Sequence, residues 1–286
     1  MGAHDPRQTL TGDIDFRLSR LTTGWDKKDP PPARVKPAPV TFILYLLRLA
    51  YASTGTPSPA QRALADVICI AFFFLLRPGE YCVGNDDTAF TLGDTHLYVG
   101  SRKLDVSTCS DRELEAASSM RLHFTTQKNQ RKGDVIAHGR SRHHLCCPVR
   151  AAVRVLQQHR KWFRDSAVPY DDKCPLASYY YRSRRVLLRS CDVTSQLRFA
   201  ARQSVSVTGI DPSSISARSL RAGGAMALLC GNVDSDTIML VGRWHSDAMM
   251  RYLHQEAQPI MKHLAATMLD CGNYGFLPTH MLPAAA

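Results

Sequence analysis

The sequence predicts a mainly α fold with one small antiparallel β-sheet, an α+β arrangement. Three observations predict it. Apolar residues recur at helical spacing from Val40 to about Leu76, and again from Pro148 onward. Between these stretches, residues 88–138 alternate in polarity or carry β-branched side chains. The proportions are those of a globular chain, with 44% hydrophobic and 21% charged residues among 286. That length is ample for a sizeable core. The composition argues against a disordered, collagen-like or disulfide-scaffold protein.

The elements follow in order. Residues 1–39 are polar and end in a proline-rich run, Pro30-Pro31-Pro32 through Pro37 and Pro39, expected to be a stiff linker. A short helical fragment is expected at 14–21. Residues 40–257 are expected to form the compact body, and 258–286 a C-terminal helix and tail. Phe42–Tyr51 reads as a helix. Ser58-Pro59 reads as an N-cap with proline at the first helical position. That helix is expected to run to about Leu76, be apolar around nearly its whole circumference, and end at Pro78-Gly79.

Strands are expected at Thr88–Leu92, Thr95–Val99, Met120–Thr126 and Val135–His138. A basic hairpin loop, Gln127 to Gly133, joins the last two. Beyond Cys147-Pro148 the expected helices are Pro148–Arg164, Ser183–Arg189, Ser195–Ser204, Ser216–Cys230, Ser235–Val241, Asp247–Ala257 and Pro259–Leu269. Gly231 fits a C′ position and Ser246 an N-cap.

Charge narrows the class. Lys plus Arg number 36 against 25 Asp plus Glu, a net +11, which suggests a polyanionic partner. From Arg121 to Arg164 there are eleven bases and one acid, Asp134. Such a surface repels itself unless an anion is near. No apolar run approaches the roughly 20 residues of a membrane span, so no membrane partner is expected. Met1–Thr9 is polar and unlike a secretory signal. The nine cysteines have no CxxC pair and are expected to be reduced thiols. His143-His144-Leu145-Cys146-Cys147 offers zinc-type ligands. Adjacent ligands rarely fill one tetrahedron without a second pair, and none is evident, so no metal is expected. Arg182-Ser183-Arg184-Arg185 reads as a DNA-facing or solvated helix end, or as an import patch.

The C-terminal third carries the chemistry: Arg218-Ser219-Leu220-Arg221-Ala222-Gly223-Gly224-Ala225, then Gly242-Arg243-Trp244-His245-Ser246-Asp247, then Arg251-Tyr252. Here the chain resembles the tyrosine recombinases of the phage-integrase type, closest to the eukaryotic DIRS-type and Crypton transposon versions. The resemblance spans about Val40 to Glu256 and is strongest over 216–256. It implies a DNA breaking-rejoining catalytic domain. It makes Tyr252 the nucleophile, Arg77 and Arg221 the paired catalytic arginines, Lys128 the hairpin lysine and Trp244 the occupant of a His/Trp position. Glu80 matches an acidic residue three positions after the first arginine. Lys132 rivals Lys128. Tyr274 and Tyr179–Tyr181 are other tyrosines, but none follows a Gly-Arg-Trp block at short range. Arg218 stands where the family has histidine; it keeps the charge but is a poor acid or base near neutral pH.

The residue types suit metal-free phosphodiester chemistry independently. Two arginines stabilise charge on phosphorane oxygens with planar donors. A tyrosine attacks phosphorus, and a lysine protonates the leaving 5′-oxygen. No cofactor is needed. Arg131, Lys132, Arg140, Arg142, Arg243 and His245 are the candidate DNA contacts. The resemblance further implies double-stranded DNA as partner, a homo-tetramer on it, exchange of 258–286 between protomers, and a nuclear location. It also implies an N-terminal core-binding domain, for which 1–39 would be a remnant, with the chain a fragment or the domain encoded separately. The rival readings are an inactive DNA-binding remnant of a transposon recombinase, and a basic RNA-binding or scaffold protein. A type IB topoisomerase-like nicking activity is a variant of the first reading.

Overall fold

The computed structural model describes residues 35–52, 55–83, 89–125 and 133–244. It is helix-rich with a small antiparallel sheet. Helix α1 (Val40–Tyr51) leads into α2 (Pro59–Phe73), the central element. A capping box starts α2: the Ser58 hydroxyl accepts from Gln61 N–H, and the Gln61 side chain accepts from Ser58 N–H. Every residue from Ala63 to Phe72 is buried. Such a run cannot face water on any side, so other helices must surround α2.

The helix stops earlier than its apolar content suggests. Phe74 is the C-cap, and Leu75 adopts a left-handed φ of 50°. A short helix α3 (Pro78–Tyr81) follows, with Arg77 at its N-cap. Leucine rarely adopts positive φ, so propensity alone extends the helix to Leu76.

The sheet contains β1 (Thr95–Val99), β2 (Arg102–Lys103), β3 (Ser119–Phe124) and β4 (Asp134–Gly139), in the antiparallel order β2-β1-β3-β4. Short helix α4 (Asp111–Glu115) lies between β2 and β3. Period-two alternation sets the register: Met120, Leu122 and Phe124 are buried, whereas Arg121 and His123 point the other way. The expected strand at Thr88–Leu92 is not present among the described residues of that stretch. Thr91 makes one bridge to Pro175, and Leu92–Asp94 form a 3-10 turn whose start is held by the Asp94 carboxylate.

Helix α5 (Pro148–Asp165) packs along α2. The only charge within the buried run of α2, Asp66, accepts from Arg154 Nε at 2.8 Å and from the Tyr51 hydroxyl. Next come β5 (Ser178–Tyr181) and β6 (Arg184–Leu187), an antiparallel hairpin. This corrects the helix expected over Ser183–Arg189. Arg182 and Ser183 both have positive φ, 46° and 61°, so Ser183 is a turn residue and not a helix cap.

Helix α6 (Ser190–Gln203) starts five residues before the expected Ser195, and α7 (Val205–Thr208) is a single turn. Helix α8 (Ser219–Cys230) ends in a Schellman arrangement, with Val233 N–H bonded to Leu228 O and Asn232 N–H to Leu229 O. The left-handed residue there is Asn232, φ 57°, and not Gly231. Helix α9 (Ser235–Gly242) completes the described chain.

Gly223 and Gly224 let α8 close on the core. A Cβ on Gly223 would lie 2.0 Å from the Ala38 carbonyl oxygen, and one on Gly224 2.4 Å from that of Phe72. The two glycines therefore seat α8 against the strand-like entry to α1 and against the end of α2. Among the described residues no helix is long and apolar enough to cross a membrane.

Candidate active site

The left-handed turn at Leu75 organises the site. It directs the Leu75 carbonyl toward two guanidinium groups. Arg221, in the first turn of α8, donates from Nη1 to Leu75 O at 2.6 Å and from Nη2 to Gly242 O. Arg243 donates from Nη2 to Leu75 O at 3.4 Å, and from Nη1 to Phe74 O at 3.2 Å. Its Nη2 also meets Glu80 Oε2 at 3.0 Å. The same carboxylate holds Arg77, accepting its backbone N–H at 2.7 Å and its Nη1 at 3.0 Å. Arg77 and Arg243 thus meet on Glu80, and Arg221 and Arg243 on the Leu75 carbonyl.

Burial differs among the three. Arg221 and Arg243 are 2% and 3% exposed, while the Arg77 side chain is 28% exposed. Burying a charge costs free energy unless it is paired and hydrogen-bonded. The Leu75 and Gly242 carbonyls meet that need at Arg221, and Glu80 with the Phe74, Leu75 and Val241 carbonyls at Arg243. Burial pushes the Arg243 guanidinium below its ordinary pKa, with Glu80 and Asp134 pulling the other way.

Trp244 lies over this cluster. Its ring covers the Arg221 guanidinium, 4.2 Å from the centroid, a cation–π contact. Gly242 makes room for it, since a Cβ there would overlap the indole ring at 1.8 Å. Arg243 adopts φ 56° and stacks on Phe124 of β3 at 3.9 Å. Leu75, Ala225 and Ile238 pack with Trp244 in a small apolar cluster beneath the site.

Of the residues singled out from the sequence, Arg77, Arg221, Arg243 and Trp244 come together, with Glu80. Arg243 is not a surface contact: it is buried and bonded to Glu80 and backbone carbonyls. Arg218 is the N-cap of α8 and is exposed. Arg140 donates to the carbonyls of Ala117, at 2.7 Å, and Glu115, tying β4 to the end of α4. Arg142 is exposed and left-handed, φ 64°. Lys128, Arg131, Lys132, His245 and Tyr252 lie outside the described residues, as do the expected helices Asp247–Ala257 and Pro259–Leu269.

The His-Cys cluster has a local role. His143 Nδ1 accepts from the amides of Leu145 and Cys146 at 3.1 and 3.0 Å, and Cys146 and Cys147 are buried at the start of α5. The Leu75 turn escaped sequence reasoning, and no residue type marks it. The burial of Arg243 has no local signal either, because its partners Phe124 and Glu80 are distant in sequence.

No family model matches the sequence, and no curated protein matches it. Among solved structures, the chain is similar to the XerH site-specific recombinase bound to difH substrate in a pre-cleavage complex. The identity is 12%, over 91% of this chain and 68% of that one, with a TM-score of 0.45.

Proposed function

We propose that this protein is a tyrosine-type site-specific DNA recombinase of a mobile element. The observation that carries the reading is the gathering of three guanidinium groups around the Leu75 turn, Arg77 and Arg243 on Glu80 and Arg221 beside Arg243 on the Leu75 carbonyl, with Trp244 over Arg221. Planar guanidinium donors so grouped suit a phosphodiester.

In this reading Tyr252 releases its phenolic proton to solvent as its Oη attacks phosphorus. The P–O5′ bond breaks, a 3′-phosphotyrosine forms, and Lys128 protonates the departing 5′-oxygen. The reverse attack by a 5′-hydroxyl rejoins the strand, so the bond energy is conserved and no nucleotide is consumed. Arg77, the exposed member, meets the nonbridging oxygens directly. Arg221 supports it from beneath through its field. Direct donation by Arg221 requires the Trp244 ring to move off the guanidinium. The duplex would be bound by a tetramer, in the nucleus of a eukaryotic host.

Nicked duplexes from the DNA flanking its own gene, incubated with the full chain in chelator, test this. A covalent protein–DNA band on a denaturing gel, lost in Tyr252→Phe, is the expected result. Salt-sensitive binding with no band would support instead an inactive DNA-binding remnant, which Arg218 at the family's histidine position favours. Neither band nor binding would overturn both.

A further inference from the structure

The β5–β6 hairpin plays no part in the site above, yet it is the most cationic hairpin among the described residues. Residues 178–189 contain Arg182, Arg184, Arg185 and Arg189, three tyrosines and no acid. All four arginines are exposed, and none is in an ion pair among the described residues. Pairing across the strands fixes which side chains share a face. Tyr181 is opposite Arg184, and Tyr179 is opposite Val186, so Tyr179, Tyr181 and Arg184 lie on one face. Tyr181 is 52% exposed, and the Arg182 guanidinium sits 5.2 Å from its ring centroid.

The turn adds a second observation. Both central residues, Arg182 and Ser183, are left-handed. Such turns favour Asn-Gly, so a large cation at the first position is held there against local preference. Alongside runs an open groove of about 1110 Å³, with Tyr179, Arg185, Arg189 and Gln196 among its polar lining and apolar residues such as Leu64 and Val186 completing it. Asp192, the one acid lining it, already accepts from the Arg189 amide at 2.8 Å.

We propose that this hairpin is a binding surface for an unpaired nucleic-acid strand, separate from the centre around Arg221. Arg182 and Arg184 contact phosphates at the tip. The Tyr181 ring stacks on a base, and the strand continues along the groove past Arg185 and Arg189. Base stacking on exposed tyrosine needs an unstacked base, which a duplex does not offer. Exposed arginines alone would suit any polyanion; the aromatic face between them selects a single strand.

The test is fluorescence anisotropy of the full chain with a labelled oligo-dT strand and with a blunt hairpin duplex, over a salt series. For Arg182→Ala/Arg184→Ala, the slope of log affinity against log salt on oligo-dT should fall by about 1.4, at roughly 0.7 per phosphate contact. For Tyr181→Ala, the slope should stay unchanged while oligo-dT binding weakens about tenfold or more. Blunt-duplex binding by Tyr181→Ala should match the wild type. These exposed positions are in neither the core nor the proposed centre, so covalent cleavage by both variants at saturating DNA should persist. An unchanged slope for the arginine pair, or equal losses on duplex and oligo-dT for Tyr181→Ala, would overturn the proposal. Loss of cleavage in Tyr252→Phe is a separate readout, so failure of the recombinase reading is distinguishable from failure of this one.

Discussion

Two buried arginine clusters touch helix α2, and they are built on different principles. Midway along the helix, Arg154 meets Asp66 one to one, with the Tyr51 hydroxyl on the same carboxylate and the Tyr51 ring 4.4 Å from the guanidinium. At the C-terminal end, Arg77 and Arg243 share Glu80, and Arg221 and Arg243 share the Leu75 carbonyl. The first cluster is held by side chains and ties α1, α2 and α5 together. The second hangs two buried guanidinium groups on the main chain where α2 ends. Arginine burial alone therefore does not mark function.

The comparison can be broken first at the pair of Arg154 and Asp66. Arg154→Met strands the Asp66 carboxylate in the core and is expected to cost about 3–5 kcal/mol of stability, read by urea unfolding. The same pair gives a pH signature. Burial raises Asp66 from 3.8 to about 6, against the pull of Arg154. The folded state then binds the proton more tightly than the unfolded state. This contribution is full below pH 3.8 and is lost as pH rises through about 6. Unfolding of Asp66→Asn compared with wild type between pH 4 and 6 should show a flatter profile in the variant; parallel profiles would refute the assignment.

A smaller effect is expected where α8 closes on the core. Gly223→Ala forces a methyl against the Ala38 carbonyl and should cost about 1–3 kcal/mol, with the unfolding midpoint as readout. An unaltered midpoint would mean that α8 is not seated as described.

The second cluster is sharpened by ligand. A short blunt duplex at ten times its Kd should stabilise the wild type by about 1.4 kcal/mol. Thermal shift should show this gain in Ser58→Ala and not in Arg221→Met. If Arg221→Met keeps the full gain, the cluster is not the duplex-binding site. Smallest is the cap itself: Ser58→Ala removes one bond at the start of α2 and should cost about 1 kcal/mol by urea unfolding, leaving duplex binding intact.

Much of the architecture was legible because periodicity and caps carry it. Ser58-Pro59 and Cys147-Pro148 mark the starts of α2 and α5, and the alternation at 119–124 marks β3. Helix α4 is too short to carry an apolar period, and its one sequence mark is the Ser110–Glu113 capping box. The hairpin at 178–187 was misread because its turn residues are Arg-Ser. Nothing in their chemistry advertises a left-handed pair.

At the site, Arg77, Arg221 and Trp244 were legible through motif resemblance, and they do converge. Arg243 was not read correctly. An arginine beside a tryptophan in a basic chain looks like a surface contact. Its burial depends on Phe124 and Glu80, distant in sequence and brought near only by the fold.

The Leu75 turn has a consequence for inheritance. The acceptor that positions Arg221 and Arg243 is a main-chain oxygen, which every amino acid carries. Replacement of the leucine side chain changes the packing but leaves that acceptor in the chain, provided the backbone keeps its left-handed step. The arrangement is thus written in a torsion angle more than in a letter of the sequence. Related sites can diverge at this position without leaving a motif to search for, and they are best sought by backbone conformation.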